Sequence, residues 1–164
     1  MAYLLDANVL ITAKNTYYGF DLCRGFWDWI DQAHSAGSVF SIEKVYDELV
    51  GRDDDLSEWC RDRQSLFLPL LPTDIPAVAA INRWANDSTQ FDAAAKTEFA
   101  DAADSFLIAQ AMAGGHSVVT NERISDGRKR IKIPNAAGAH SVPCMTPFQM
   151  LKAEHARFVL DGAT

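Results

Sequence analysis

Short apolar runs alternate along this chain with stretches whose apolar residues recur every three or four positions, and this alternation restricts the fold more than any other feature. Tyr3-Leu4-Leu5, Ser38-Val39-Phe40 and His116-Ser117-Val118-Val119-Thr120 read as strands. Runs that are apolar at successive positions suit strands covered on both faces, the situation of central strands in a parallel sheet. Between them, three groups fall at helical spacing: Leu22, Phe26, Trp29, Ile30 and Ala33; Val45 and Leu49, with Ile42; and Ala103, Leu107, Ile108, Ala111 and Met112. The expected fold is α/β, a three-layer α/β/α sandwich around a central, mostly parallel sheet of about four to five strands.

Local signals set the boundaries. Gly37 and Gly114-Gly115 are placed to end helices, the former in a left-handed conformation. Ser41 is expected to cap the helix carrying Val45 and Leu49, and Asn8 to cap a first helix after Asp6. Asp53-Asp54-Asp55 suits a helix start, as do Thr73 or Asp74 ahead of Pro76, and Thr146 ahead of Pro147. Ile131-Lys132-Ile133-Pro134 and Val142-Pro143-Cys144-Met145 read as extended. The polar, alanine-rich stretch from Asn86 to Glu98 reads as a mobile loop with a helical turn.

With 164 residues, 48% hydrophobic and 23% charged, one core is affordable and two are not, so a single domain is expected over 1–164 with its core over about 3–151. The longest apolar stretch, Leu66 to Leu71, is short and broken by Pro69, and no basic region precedes Asp6. Neither a transmembrane helix nor a secretory signal is expected. Cys23, Cys60 and Cys144 are odd in number and far apart, which suits the reducing cytoplasm better than a disulfide framework. A net charge of −7 argues against non-specific coating of nucleic acid, which rests on many cations. It leaves room for a nuclease whose acids are offset by metal.

Acids stand where packing has no use for them. Asp6 follows Tyr3-Leu4-Leu5, Glu48 sits beside Leu49, Asp104 opens Ser105-Phe106-Leu107-Ile108-Ala109, and Glu122 follows Val118-Val119-Thr120-Asn121. Charge removed from water costs several kcal/mol or more unless it is compensated, so acids gathered at strand ends call for a cation. Sites in parallel sheets lie beyond the carboxyl ends of the strands, which is where Asp6 and Glu122 fall. Taken singly, Asp6 also suits a turn, Asp104 a helix cap and Glu48 a solvated helix face. Arg123, Arg128, Lys129, Arg130 and Lys132 crowd together just after Glu122. They suit either an RNA-binding rim or simple solvent exposure.

The blocks Leu5-Asp6-Ala7-Asn8-Val9-Leu10, Val45-Tyr46-Asp47-Glu48-Leu49, Ala103-Asp104-Ser105-Phe106-Leu107-Ile108-Ala109 and Val118-Val119-Thr120-Asn121-Glu122 resemble, in order and spacing, those of a PIN domain. The resemblance runs from about Tyr3 to Leu151, and Lys132 to Pro134 with the long helical middle looks closest to the DUF4411 branch. It implies a PIN-like fold and a Mg2+- or Mn2+-dependent endoribonuclease, the toxin of a toxin–antitoxin pair. It further implies RNA as substrate, a small DNA-binding antitoxin as partner, a homodimer, and no membrane.

Carried over block by block, Asp6, Glu48 and Asp104 match the family acids that gather metal. The fourth position, commonly aspartate, is Glu122 here. Asp101, one turn before Asp104, is expected on the same side of one helix, as a substitute ligand or acting through water. Asn8 and Thr120 are expected behind the ligands, orienting carboxylates or water.

The residue types fit this chemistry independently, since Mg2+ and Mn2+ take hard oxygen donors and keep several waters. Hydrolysis by metal-activated water leaves a 5′-phosphate and a 3′-hydroxyl. Two other classes stay open: another magnesium phosphohydrolase, and a PIN-like binding module that has lost catalysis. His34, His116, His140 and His155 lack zinc spacing, and no glycine-rich phosphate loop follows a strand.

Overall fold

Leu4 and Leu5 are fully buried, and the strand that carries them, β1 (Tyr3–Leu5), is the middle of the sheet. The computed structural model describes residues 1–162; the two remaining residues of the expected 1–164 domain lie outside the described residues. Around β1 stand β2 (Val39–Ile42), β3 (Phe67–Leu68), β4 (Ser117–Val119) and β5 (Cys144–Met145), in the order β3-β2-β1-β4-β5. Every pairing is parallel. Tyr3 lies opposite Val39 on one side and Ser117 on the other, and Leu5 lies opposite Val119. Successive residues of β1, β2 and β4 are buried because both faces of the sheet are covered.

The helices are α1 (Ala7–Thr12), continued by a π-helical stretch over Ala13–Tyr17, α2 (Arg24–Ser35), α3 (Glu43–Val50), α4 (Asp55–Arg61), α5 (Ile75–Asp87), α6 (Ala93–Asp101), α7 (Ala103–Gly114), α8 (Ile133–Ala139) and α9 (Pro147–Ala153). They complete a three-layer α/β/α sandwich. Helix α7 is its central post: Leu107, Ile108, Ala109, Gln110 and Ala111 are buried consecutively, as in a helix enclosed on all sides. It packs against α3, α5, α6 and α8 and against β2 and β4. Gln110 donates from Nε2 to the carbonyl of Pro69 at 3.2 Å, tying the end of β3 to this post. No helix among the described residues is long and apolar enough to cross a membrane.

Several boundaries follow the sequence signals. Gly37 and Gly115 adopt φ of +78° and +69°, closing α2 and α7 in the left-handed region. Asp54 and Thr146 each build a reciprocal cap, accepting from the backbone N–H of Ser57 and of Gln149.

Other expectations are corrected. The stretch expected as a loop from Asn86 to Glu98 is largely helical, belonging to the end of α5 and to α6, because Ala95 and Phe99 bury against the core one turn apart. Ile131-Lys132-Ile133-Pro134 is not a strand: Lys132 is the extended N-cap position of α8, which opens at Ile133, and Pro134 sits in its first turn, where its missing N–H costs nothing. Ser41 lies within β2 and donates to the Leu5 carbonyl at 2.6 Å, stitching β2 to β1 instead of capping α3. Asn8 is inside α1, whose N-cap position belongs to Asp6.

Candidate functional site: an acidic cluster at the switch point of the sheet

In the order β3-β2-β1-β4-β5, the chain leaves β1 toward one edge and later returns to β4 on its other side, so the reversal of strand order falls between β1 and β4. A crevice opens beyond the carboxyl ends of strands at such a point. Asp6 is the first residue past β1, extended at φ −67° and ψ 150°, and is only 3% exposed. Thr120 follows β4, also buried, and its hydroxyl donates to Asp6 Oδ2 at 2.8 Å. The same hydroxyl oxygen accepts from the Glu122 backbone N–H at 3.1 Å. Asp6 makes no side-chain bond to the amides of α1, so its carboxylate is not spent as a cap.

Asp104 lies in the first turn of α7, where the helix dipole favours negative charge. Glu48 is an exposed residue of α3, one position before buried Leu49. These acids meet electrostatically. Burial raises the Asp6 carboxyl to about 7, and the charges of Asp104, Glu122 and Glu48 push it the same way, against the Thr120 hydrogen bond. Burial also raises Asp104 to about 6, with Glu122, Glu48 and Glu98 adding to the effect and Arg130 opposing it. Burial joined by like charge is the setting in which functional carboxylates are commonly found.

A cleft of about 400 Å³ opens beside the cluster, lined by Lys44 and Glu48 from α3, Glu98 and Asp101 from α6, Asp104 from α7, and Arg130. Asp101 reaches it from a different helix than Asp104. The expectation of a shared helix face fails because Ala102, at φ −78° and ψ 160°, is extended and breaks α6 from α7. Asn8, expected behind the ligands through its side chain, is a backbone acceptor here, its carbonyl taking the Asn121 side-chain N–H at 3.3 Å.

Glu122 is the most committed of the acids. Its Oε1 accepts from Arg130 at 3.2 Å and its Oε2 from the Ile133 backbone N–H at 2.9 Å, the first residue of α8. The basic run after it disperses. Arg123 is exposed beside a second groove of about 470 Å³ that Thr120 and Glu122 also border. Arg128 lies 3.5 Å from Asp92, and Lys129 is in solvent.

Two residues lining the cleft, Lys44 and Glu98, and Asn121 beside Asn8 carry little or no signal in the sequence. Lys44 stands four positions before Glu48 on one helix, and its ammonium lies 4.8 Å from the Phe106 ring centroid. That spacing was the available signal for it. Glu98 was hidden in a segment read as loop. Asn121 carried no signal, because its bond to Asn8 spans 113 positions.

Hard carboxylate oxygens with surplus negative charge and solvent access through a cleft are the donor chemistry that Mg2+ and Mn2+ take. Among the described residues, no group of three or more His, Cys, Asp or Glu side chains stands close enough together to hold a metal ion. Such ions are commonly held by one or two carboxylates plus waters, so the cluster fits an ion that keeps part of its hydration.

Comparison with curated proteins and with solved structures finds no match. A family model, described as a domain of unknown function (DUF4411), matches residues 3–158, which takes in all five strands and all the acids of the cluster. This chain belongs to the DUF4411 family.

Proposed function

We propose that this protein is a PIN-type endoribonuclease, dependent on Mg2+ or Mn2+, that hydrolyses RNA phosphodiester bonds and acts as the toxin of a toxin–antitoxin pair. The observation that carries this reading is a buried Asp6 at the end of β1, held by Thr120 at the switch point, with Glu48 and Asp104 lining the cleft beside it; burial foremost raises Asp6 to about 7 and Asp104 to about 6, and neighbouring acids add to both. Asp6, Glu48 and Asp104 would hold the metal. When bound, it supplies a water of lowered pKa and neutralises charge building on the phosphate.

The protein's own part is to hold the geometry. Thr120 fixes Asp6 Oδ2 toward the cluster and leaves the other oxygen for the ion, and Asp104 is set on the most enclosed helix of the fold. Lys44 and Arg130 at the cleft offset the repulsion that an incoming phosphodiester would meet. Water attack on phosphorus with departure of the 3′-oxygen leaves a 5′-phosphate and a 3′-hydroxyl. A small DNA-binding antitoxin offering a cation to the same cleft is the partner this reading implies, and a homodimer is compatible with it.

A second reading, a PIN-like binding module without catalysis, draws on the engagement of Glu122 by Arg130 and Ile133. The two separate on total RNA incubated with purified protein and Mg2+ or Mn2+. Discrete fragments with 5′-phosphates support the enzyme, whereas Mn2+ binding without cleavage supports the module.

A further inference from the structure

The resemblance assigns a fourth metal-binding acid to the position of Glu122, yet both oxygens of that carboxylate already have partners, Arg130 and the first amide of α8. Turning Glu122 toward an ion would unpair the Ile133 N–H and release the guanidinium. The two ends of the ion pair are unlike: the Glu122 side chain is 6% exposed and that of Arg130 is 52% exposed. The acid is therefore the anchor and the arginine the accessible end. Arg130 lines the acid cleft with Glu48 and Asp104, and one N–H group goes to Glu122. Among the described residues its other N–H groups have no partner. Lys44 lines the same cleft.

A phosphodiester entering a cleft of carboxylates is repelled unless cations meet it, and the planar fork of arginine matches phosphate oxygens. Resting on the ribonuclease reading, we infer that Glu122 is a positioning residue that holds Arg130 over the cleft. Asp6, Glu48 and Asp104 then supply the protein ligands to the metal without it. Arg130, with Lys44 from α3, binds the non-bridging oxygens of the RNA phosphate. A cation of the chain thus takes over charge neutralisation that the resemblance would assign to a metal bound through the fourth acid.

The test compares wild type with Glu122→Gln, Arg130→Ala, Arg130→Lys and Asp104→Asn, each first checked for folding by circular dichroism. Mn2+ binding is titrated by electron paramagnetic resonance. Affinity for a fluorescein-labelled single-stranded RNA of mixed sequence is measured across a salt series, with calcium replacing magnesium.

Mn2+ binding is expected to be lost in Asp104→Asn and retained in Glu122→Gln and Arg130→Ala, with only the modest weakening and tightening that removing one nearby charge of each sign brings. RNA affinity should fall about tenfold in Arg130→Ala and Glu122→Gln, with Arg130→Lys recovering part of it. The salt slope of Arg130→Ala should drop by about 0.7 for the lost phosphate contact. Loss of Mn2+ from Glu122→Gln overturns the assignment. A gain of about tenfold or more in Mn2+ affinity in Arg130→Ala, beyond what loss of one nearby positive charge gives, does so as well, because it would mean that the arginine was competing for a ligand, and this variant decides the point if Glu122→Gln does not fold. RNA affinity and salt slope unchanged in Arg130→Ala overturn the phosphate contact. A wild type that binds neither Mn2+ nor RNA removes the ribonuclease reading itself, an outcome distinct from the others.

Discussion

At the scale of single residues, Thr120 does the most with one atom, since its hydroxyl oxygen donates to Asp6 and accepts from the Glu122 amide. Thr120→Val keeps the shape and removes both bonds. Mn2+ affinity should fall about tenfold, as it does when partners behind metal ligands are lost. Equal titration curves for variant and wild type would count against any part for Thr120 in the site. Protonation gives a second expectation. Asp6 and Asp104 are raised to about 7 and about 6 in the folded chain, so between about pH 4 and about pH 7 the folded form binds more protons than the unfolded one. Their contribution to stability therefore declines as pH rises through that window and levels above it. His116, lowered chiefly by burial, contributes with the opposite sign, so the difference between wild type and Asp6→Asn isolates the effect. In EDTA, the melting temperature of Asp6→Asn should gain on wild type as pH rises from about 5 to about 8. A constant difference across that range contradicts the raised carboxyl.

At the scale of elements, the turn after α7 rests on one residue. Gly115 is left-handed, and a methyl group there would meet nothing within 4 Å, so Gly115→Ala isolates the backbone cost. It should destabilise by about 1 kcal/mol in urea unfolding, and a change near zero would mean the turn relaxes freely. This glycine was legible in the chain because it ends a strong helical period. Elements whose signals are tertiary were not. Strand β3 is two residues at the sheet edge, ahead of Pro69, and only its pairing with Ser41 and Ile42 makes it a strand. Helix α6 buries just Ala95 and Phe99 among polar neighbours, too few apolar positions to set a period. Ile131 and Ile133 alternate as strand residues do, but Ile133 and Pro134 open α8 with Glu122 accepting from its first amide.

At the scale of the whole molecule, five parallel strands in the order β3-β2-β1-β4-β5 bring the ends of β1 and β4 together and place the N-terminal turn of α7 and the exposed side of α3 beside them. The acids near strand ends announced that site in the sequence, because Asp6 directly follows one apolar run and Glu122 stands three residues past the end of another. Arg130 stood out in the sequence as one of a basic run, but its pairing with Glu122 was not legible, since that depends on how the loop before α8 returns to the sheet. Membership of the DUF4411 family leaves the chemistry to be decided by the site. The most direct measurement is cleavage of total RNA by purified protein, with Mg2+ or Mn2+ and with EDTA, beside an Asp6→Asn/Asp104→Asn double variant, followed by mapping of 5′ ends. Discrete, metal-dependent cuts bearing 5′-phosphates that the double variant does not make are the expected result. Identical fragment patterns from wild type and variant, or none from either, would contradict it.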